Sequence, residues 1–153
     1  MNTKTLIFAL FVAVSRIVFA ADTHHTPEPG SPERQLICDG ARAFVIKDYV
    51  TPNKLPQPLL FKIKRINVLG NYCSFEAVPV FKDGSQVSTD YIMDIVFDLC
   101  LKKTNKTWEV IYDLSSTDVP SNKQLKQMWS DFPKDFPFEL IPEFWRRHFN
   151  RIK

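Results

Sequence analysis

The sequence predicts an α+β fold: an N-terminal helix packed on a strongly curved four-stranded antiparallel meander sheet, followed by two short C-terminal helices. Three observations lead to this prediction. A capped helical pattern comes first, four β segments joined by short turn signals follow it, and helical periodicity returns after Leu114. Strands grouped in one run, rather than alternating with helices, are typical of the α+β class.

Residues 1–20 have the composition of an export signal. Lys4 supplies the positive start, residues 6–14 form an unbroken apolar run, and a small-residue cleavage site ends at Ala20. A membrane-spanning helix would need about 20 apolar residues, whereas this apolar run is shorter and is soon followed by Arg16. We therefore expect a soluble exported protein, periplasmic or secreted, from which this segment is removed.

The composition of the rest of the chain excludes several function classes. Loss of Lys4 and Arg16 with the signal lowers the formal net charge from +3 to +1, which gives little attraction for phosphate, so we expect no nucleic-acid partner. With four glycines and no GxxxxGK or GxGxxG motif, we expect no nucleotide cofactor. The pair His24-His25 lies in residues 21–30, a Pro-containing leader that we expect to be flexible, and we assign no metal.

The first helix is predicted from Pro32 to Asp48. Ser31 is a suitable N-cap, Pro32 occupies the first helical position, and Glu33 places an acid in the first turn. Apolar residues then recur at helical spacing along one face, and three prolines between 51 and 58 end the helix.

Four strands are predicted at 59–69, 72–81, 91–103 and 108–114. The two-residue turn Gly70-Asn71 predicts a hairpin between the first two. In both of these strands the apolar phase changes by one residue, which predicts β-bulges and a sharply bent sheet. A bent sheet around one helix would leave a cone whose open end can hold a ligand.

The last two strands are predicted to have one buried and one wet face. In the third strand apolar residues alternate with Asp94, Asp98 and other polar residues. The alternation in the fourth strand places four apolar side chains on one side: Trp108, Val110, Tyr112 and Leu114.

The residues after the sheet form a helical extension, 120–153, which we expect to pack on the same domain as residues 31–119. Ser121 and Gln124 form a capping box, and the final segment carries an aromatic stripe with arginines beside it. Such a helix suits a membrane surface or a partner groove, but it suits closing the domain's own core equally well, and we favour the latter. The candidate surface residues are Trp145, Arg146, Arg147 and Arg151.

The order of motifs resembles a known superfamily. A capped helix, a Pro-rich link, the hairpin Gly70-Asn71-Tyr72, the turn Asp83-Gly84 and the segment KTWEV at 106–110 follow one another. Over about residues 31–119 the chain resembles small exported bacterial members of the nuclear-transport-factor-2-like and cystatin-like superfamily. The resemblance implies the helix-on-curved-sheet fold. Because such folds serve isomerases, dehydratases, cystatin inhibitors and scaffolds alike, it implies no single function.

Several polar residues of the sheet are candidates for a site. Arg65, Asn67, Ser74 and Glu76 should lie side by side on the first hairpin, where a charged pair facing the cone would have shifted pKa values and could bind a ligand. The alternative, which we favour, is an exposed cross-strand ion pair.

Three carboxylates are candidate general bases. They are Glu76, Asp94 and Asp98. No histidine lies between His25 and His148, so the commonest general base is missing from most of the chain, and we favour solvated acids over catalytic ones.

Three cysteines in an oxidising compartment allow one disulfide. Counting through the hairpin places Cys73 opposite Cys100, but the expected bends upset this count. We therefore predict a Cys38–Cys100 bridge, which closes a long loop and would restrain the unfolded chain.

Three functional hypotheses follow. The first is an exported non-catalytic module that binds a protein partner or a small ligand, and we favour it because the sequence offers no complete catalytic set. The second is an isomerase-like or dehydratase-like enzyme that uses a carboxylate in the cone. The third is an envelope-associated structural protein that uses its basic aromatic C-terminal helix.

Overall fold

A computed structural model describes residues 23–52, 60–85, 87, 96–115 and 118–152. It confirms the α+β prediction: a helix precedes an open antiparallel sheet of four strands in the order β1-β2-β3-β4, and two short helices follow. The elements are α1 (Pro32–Val45), a π-helical turn (Ile46–Val50), β1 (Leu60–Leu69), β2 (Tyr72–Val80), β3 (Phe97–Thr104), β4 (Thr107–Asp113), α2 (Asn122–Asp131), a 3₁₀ turn (Phe138–Leu140) and α3 (Glu143–Asn150).

Helix α1 begins as its sequence predicts. The Ser31 side chain accepts a hydrogen bond from the Arg34 backbone N–H at 3.3 Å, with Pro32 in the first turn. Such a cap satisfies one of the N–H groups that the first turn leaves without an intrahelical partner. The helical path continues past the predicted end at Asp48, but its last residues, Ile46–Val50, form a π turn.

The hairpin between β1 and β2 has the predicted register. Gly70 has a φ of +57°, which the tight turn requires and which glycine adopts without strain. The turn places Val68 opposite Cys73 and Arg65 opposite Glu76.

The bulges agree only in part with the phase changes in the sequence. In β1 the register shifts between Ile63 and Arg65, as predicted. In β2 the predicted phase change is wrong, because Ala77 and Pro79 are buried in one continuous alternation. The second bulge instead lies in β4, where Ile111 is the extra residue between the pairs Leu101–Val110 and Cys100–Tyr112.

The bulge in β4 reverses the face of the sheet toward which the side chains at the end of that strand point. Trp108 and Val110 face α1, whereas Tyr112 and Leu114 belong to the core on the opposite face of the sheet. The prediction that all four share one side is therefore wrong, because an extra residue reverses the face of every side chain that follows it.

The sheet has two covered faces. Toward α1, Ile37 and Ala41 pack on a core that includes Phe75, Phe97 and Leu99. The opposite face is covered by the C-terminal extension, which buries large apolar side chains together with one strand residue: Cys100, Leu114, Leu125, Phe132, Phe136, Leu140, Ile141, Trp145 and Phe149. The predicted wet face of the third strand is thus buried where the extension lies on it.

Part of the predicted flexible leader is anchored to the sheet. The His25 N–H donates to the Val68 carbonyl at 3.0 Å, and the Val68 N–H donates back at 2.8 Å. The imidazole Nε2 lies 2.9 Å from Glu33 Oε2 on α1, and Pro27 is buried. The expectation of flexibility fails here because one pair of backbone hydrogen bonds and one ion pair leave no periodic pattern in the sequence. Residues 1–22 lie outside the described chain.

A close contact sets the position of α1 on the sheet. A Cβ atom placed on Gly40 would lie 2.0 Å from the Trp108 carbonyl oxygen and 2.9 Å from its carbonyl carbon. Both atoms belong to the β4 backbone and cannot rotate away. Only glycine therefore lets α1 approach β4 this closely.

We predict that Gly40→Ala destabilises the protein by about 1–3 kcal/mol in thermal or urea unfolding, because overpacking outweighs the roughly 1 kcal/mol that alanine adds to helix propensity. Ala43→Gly is the matched control: Ala43 is exposed on the same helix. It should lose only the propensity term, about 1 kcal/mol. A Gly40→Ala protein as stable as the wild type would contradict the contact.

Candidate functional site

Three charged side chains form a cluster on the face of the sheet opposite α1. Arg65 Nη2 lies 3.5 Å from Glu76 Oε2 and 3.6 Å from Asp98 Oδ1, and each side chain is about one quarter exposed or less, at 26%, 27% and 20%. The cluster links three neighbouring strands, because Arg65 pairs with Glu76 across β1 and β2, and Glu76 with Asp98 across β2 and β3.

The cluster does not face the cone that the sequence suggests, nor is it the exposed ion pair of the alternative interpretation. Its residues alternate along the strands with Ile66, Phe75 and Leu99, which face α1. They therefore point toward the C-terminal extension.

Burial changes the acidity of one carboxylate in this cluster. Loss of water and the nearby Glu76 charge raise the pKa of Asp98 to about 6, against the lowering effects of the Arg65 charge and a hydrogen bond from the Trp145 indole. A carboxylate with such a pKa is suited to proton transfer near neutral pH. However, Asp98 Oδ1 and Arg65 Nε are buried, with no hydrogen-bond partner among the described residues.

The other polar candidates of the hairpin are divided. Ser74 is buried, with 1% exposure, opposite Cys100 in the register. Asn67 accepts a hydrogen bond from the Thr26 hydroxyl of the leader at 3.3 Å. Asn67 therefore takes part in anchoring the leader. Asp94 lies outside the described residues.

Sequence reasoning missed a second polar network, at the end of β4. The Tyr49 hydroxyl donates to Asp113 Oδ2, and Asp113 Oδ1 accepts from the Ser115 N–H at 2.8 Å. Ser115 Oγ in turn accepts from the Asp98 N–H at 3.0 Å. Desolvation first, then the bond to Asp113, raises the pKa of Tyr49. Tyr49 and Asp113 are 64 residues apart in the chain, so no local motif signals their pairing.

The predicted Cys38–Cys100 disulfide is absent, and all three cysteines are free. Cys38 packs against the core on the α1 side, whereas Cys100 belongs to the core on the other side, so the sheet lies between them. Cys73 stands opposite Leu101, one residue from Cys100, and faces α1. The strand alternation that separates these thiols is the physical reason why the prediction is wrong.

The C-terminal extension docks on the domain's own sheet, which is the alternative we favoured. Trp145 is 2% exposed and therefore cannot serve as the surface residue proposed for it. Arg147 and Arg151 are exposed, Arg146 is half-buried, and Phe144 is the aromatic residue that α3 leaves exposed. Tyr72 and Lys102 each donate to Asp135 Oδ2 at 2.6 Å, which ties the extension to the sheet at a second point.

A groove of about 570 Å³ runs between α1 and β4. Apolar side chains contribute much of its lining, and one of them, Leu36, is 40% exposed. Charged side chains of both signs stand at its rim, with Asp48 and Lys47 on the helix side and Glu109 on the strand side. The apolar lining residues are Leu36, Ala43, Phe44, Trp108 and Val110.

The described ranges of the chain contain no helix long and apolar enough to cross a bilayer. Within those same ranges, His, Cys, Asp and Glu side chains form no group of three or more that could hold a metal ion. Comparison with protein-family models, curated proteins and solved structures finds no match for this chain.

We predict that Arg65→Met lowers the free energy of unfolding by about 2 kcal/mol, because it leaves two largely buried carboxylates without their cation. Breaking a fully buried ion pair costs about 3–5 kcal/mol. The loss here should be smaller because water still reaches the cluster. Glu76→Gln is the control. Glu76→Gln should lower the free energy of unfolding by less, since Arg65 keeps its ion pair with Asp98. Urea unfolding at neutral pH measures both. Equal stability of Arg65→Met and the wild type would show that the cluster carries no net stabilisation.

We also predict three titratable thiols when the protein is denatured without reductant. In the native protein only Cys38, which is half-buried, should react readily with a thiol reagent, because Cys73 and Cys100 are buried. Burial raises the pKa of all three thiols, so accessibility makes the difference. Peptide mapping of the non-reduced protein is the second measurement. A peptide linking Cys38 to Cys100 would contradict the separation of these residues by the sheet.

Proposed function

We propose that the protein is an exported, non-catalytic binding module whose site is the groove between α1 and β4. The observation that carries the proposal is the groove itself, about 570 Å³ in volume, with an exposed leucine in its lining. Binding pockets for small molecules typically have about 300–1,000 Å³ and a mostly apolar lining with a few polar groups.

The construction of the groove supports this assignment. Its two walls are held in place by the Gly40–Trp108 contact, so the groove exists before any ligand arrives. A preformed site loses less conformational entropy on binding than one that must be assembled. A ligand that covers the exposed Leu36 side chain would remove apolar surface from water, which favours binding.

The enzyme alternative has weaker support. Asp98 has a pKa of about 6, but its Oδ1 is buried beneath the extension, where a substrate would have to displace Trp145. The envelope-associated alternative loses Trp145 as a surface anchor, because this indole lies in the core. Export and membership of the nuclear-transport-factor-2-like and cystatin-like superfamily are parts of the proposal that rest on the sequence. A helix on an open four-stranded sheet is compatible with that superfamily.

Titration with Nile red, a neutral apolar dye, tests the proposal. We expect saturable binding to one site per chain. Leu36→Ser should weaken it roughly fivefold, which corresponds to about 1 kcal/mol for the loss of part of a leucine contact. Ala43→Gln should weaken it further, because a longer side chain would fill the groove.

Ser130→Gln is the matched control for Ala43→Gln, since Ser130 is exposed on α2, away from the groove. It should leave the dye affinity unchanged. Binding that neither groove variant affects would place the dye elsewhere and remove the support for this site.

A further inference from the structure

Two polar contacts between the C-terminal extension and the sheet involve carboxylates, in addition to the hydrogen bond that the Tyr112 hydroxyl donates to the Met128 carbonyl at 3.1 Å. At one, Asp135 accepts hydrogen bonds from Tyr72 and Lys102 at the surface. At the other, Trp145 lies over Asp98 within the cluster formed with Arg65 and Glu76. Of these two carboxylate contacts, only the second is enclosed between the two layers.

The enclosed cluster has one cation for two carboxylates. When both are ionised, Glu76 and Asp98 compete for the same Arg65 nitrogen, Nη2, at 3.5 and 3.6 Å. Both distances exceed those of strong charge-assisted hydrogen bonds, which are about 2.7–2.9 Å. A single proton on Asp98 would leave one ion pair and a neutral carboxyl group. The protonated arrangement therefore balances the charge among side chains that are only 20–27% exposed to water.

We propose that this cluster makes the C-terminal extension a pH-sensitive clasp, which holds the sheet more tightly in mildly acidic than in neutral solution. The groups that face the Asp98 carboxyl are Glu76 of β2, Arg65 of β1, the Trp145 indole of α3 and, farther off, Asp113 of β4. Glu76 and Asp113 favour the protonated form, and Arg65 and Trp145 favour the ionised form, but desolvation is the largest influence and favours the proton.

The direction of the effect follows from linkage. The pKa of Asp98 is raised from 3.8 to about 6 in the folded protein. The stabilisation that its protonation brings is complete below the unfolded value and is lost as the pH rises through about 6. At neutral pH the extension must hold an ionised Asp98 against the sheet, and it opens more often. Opening uncovers the apolar side chains Phe132, Trp145 and Phe149.

The contact at Asp135 serves as an internal comparison. The bonds from Lys102 and then Tyr72 lower its pKa to about 2, so Asp135 stays ionised throughout the range in which Asp98 titrates. It should contribute to the strength of the clasp at every pH without contributing to its pH dependence.

Native-state hydrogen exchange of the α3 amides tests the proposal, with rates corrected for the intrinsic effect of pH. We expect about tenfold greater protection at about pH 5 than at about pH 7.5, from the linkage of this one group. In Asp98→Asn the ratio should fall to about one. In Asp135→Asn protection should drop at both pH values while the tenfold ratio persists. The exchange of residues 41–45 of α1, on the other face and away from the His25–Glu33 pair, is the reference.

Three results would overturn the proposal. The first is equal protection of the α3 amides at the two pH values in the wild-type protein. The second is an equal pH ratio in residues 41–45 of α1, which would mean that the whole fold responds rather than the extension. The third is a ratio that His148→Gln removes and Asp98→Asn does not, which would assign the effect to the imidazole of α3 itself.

Discussion

The contact between Gly40 and the Trp108 carbonyl is the constraint on which the rest of the structure depends. It brings α1 against the backbone of β4, and the apolar residues of the helix share a core with Phe75 and Phe97. The same approach forms the groove, because α1 lies against an edge strand rather than over the middle of the sheet. The close packing of α1 on β4 and the groove between them thus both result from the contact between Gly40 and Trp108.

The two faces of the sheet are stabilised differently. The α1 side is an apolar core, whereas the other side combines apolar burial under the extension with the charges of Arg65, Glu76 and Asp98. A partly buried cluster with two acids and one base is costly when fully ionised, and large aromatic side chains around it offset that cost. This side therefore holds the titratable groups whose state depends on the position of the extension.

The candidate sites were only partly visible in the sequence. Arg65 and Glu76 were correctly paired because a two-residue turn determines their register. The environment of these two residues could not be predicted, because nothing in the local sequence indicates which face of the sheet another layer will cover. Tyr49 and Asp113 meet through the packing of a π turn on the last strand, and the groove requires two elements that are far apart in sequence.

The sequence by itself determined the elements whose causes are local. The Ser31 cap, the capping box at Ser121 and Gln124, the turn at Gly70 and the bulge near Lys64 follow from side chains within a few residues of one another. Only the tertiary structure decided which faces are buried, that the thiols of Cys38 and Cys100 lie on opposite sides of the sheet, and that Asp98 is enclosed. The physical reason is that alternation along a strand separates its two faces but does not specify what packs on each of them. That depends on the burial of distant segments, here a glycine that admits a helix on one face and an aromatic extension that closes the other.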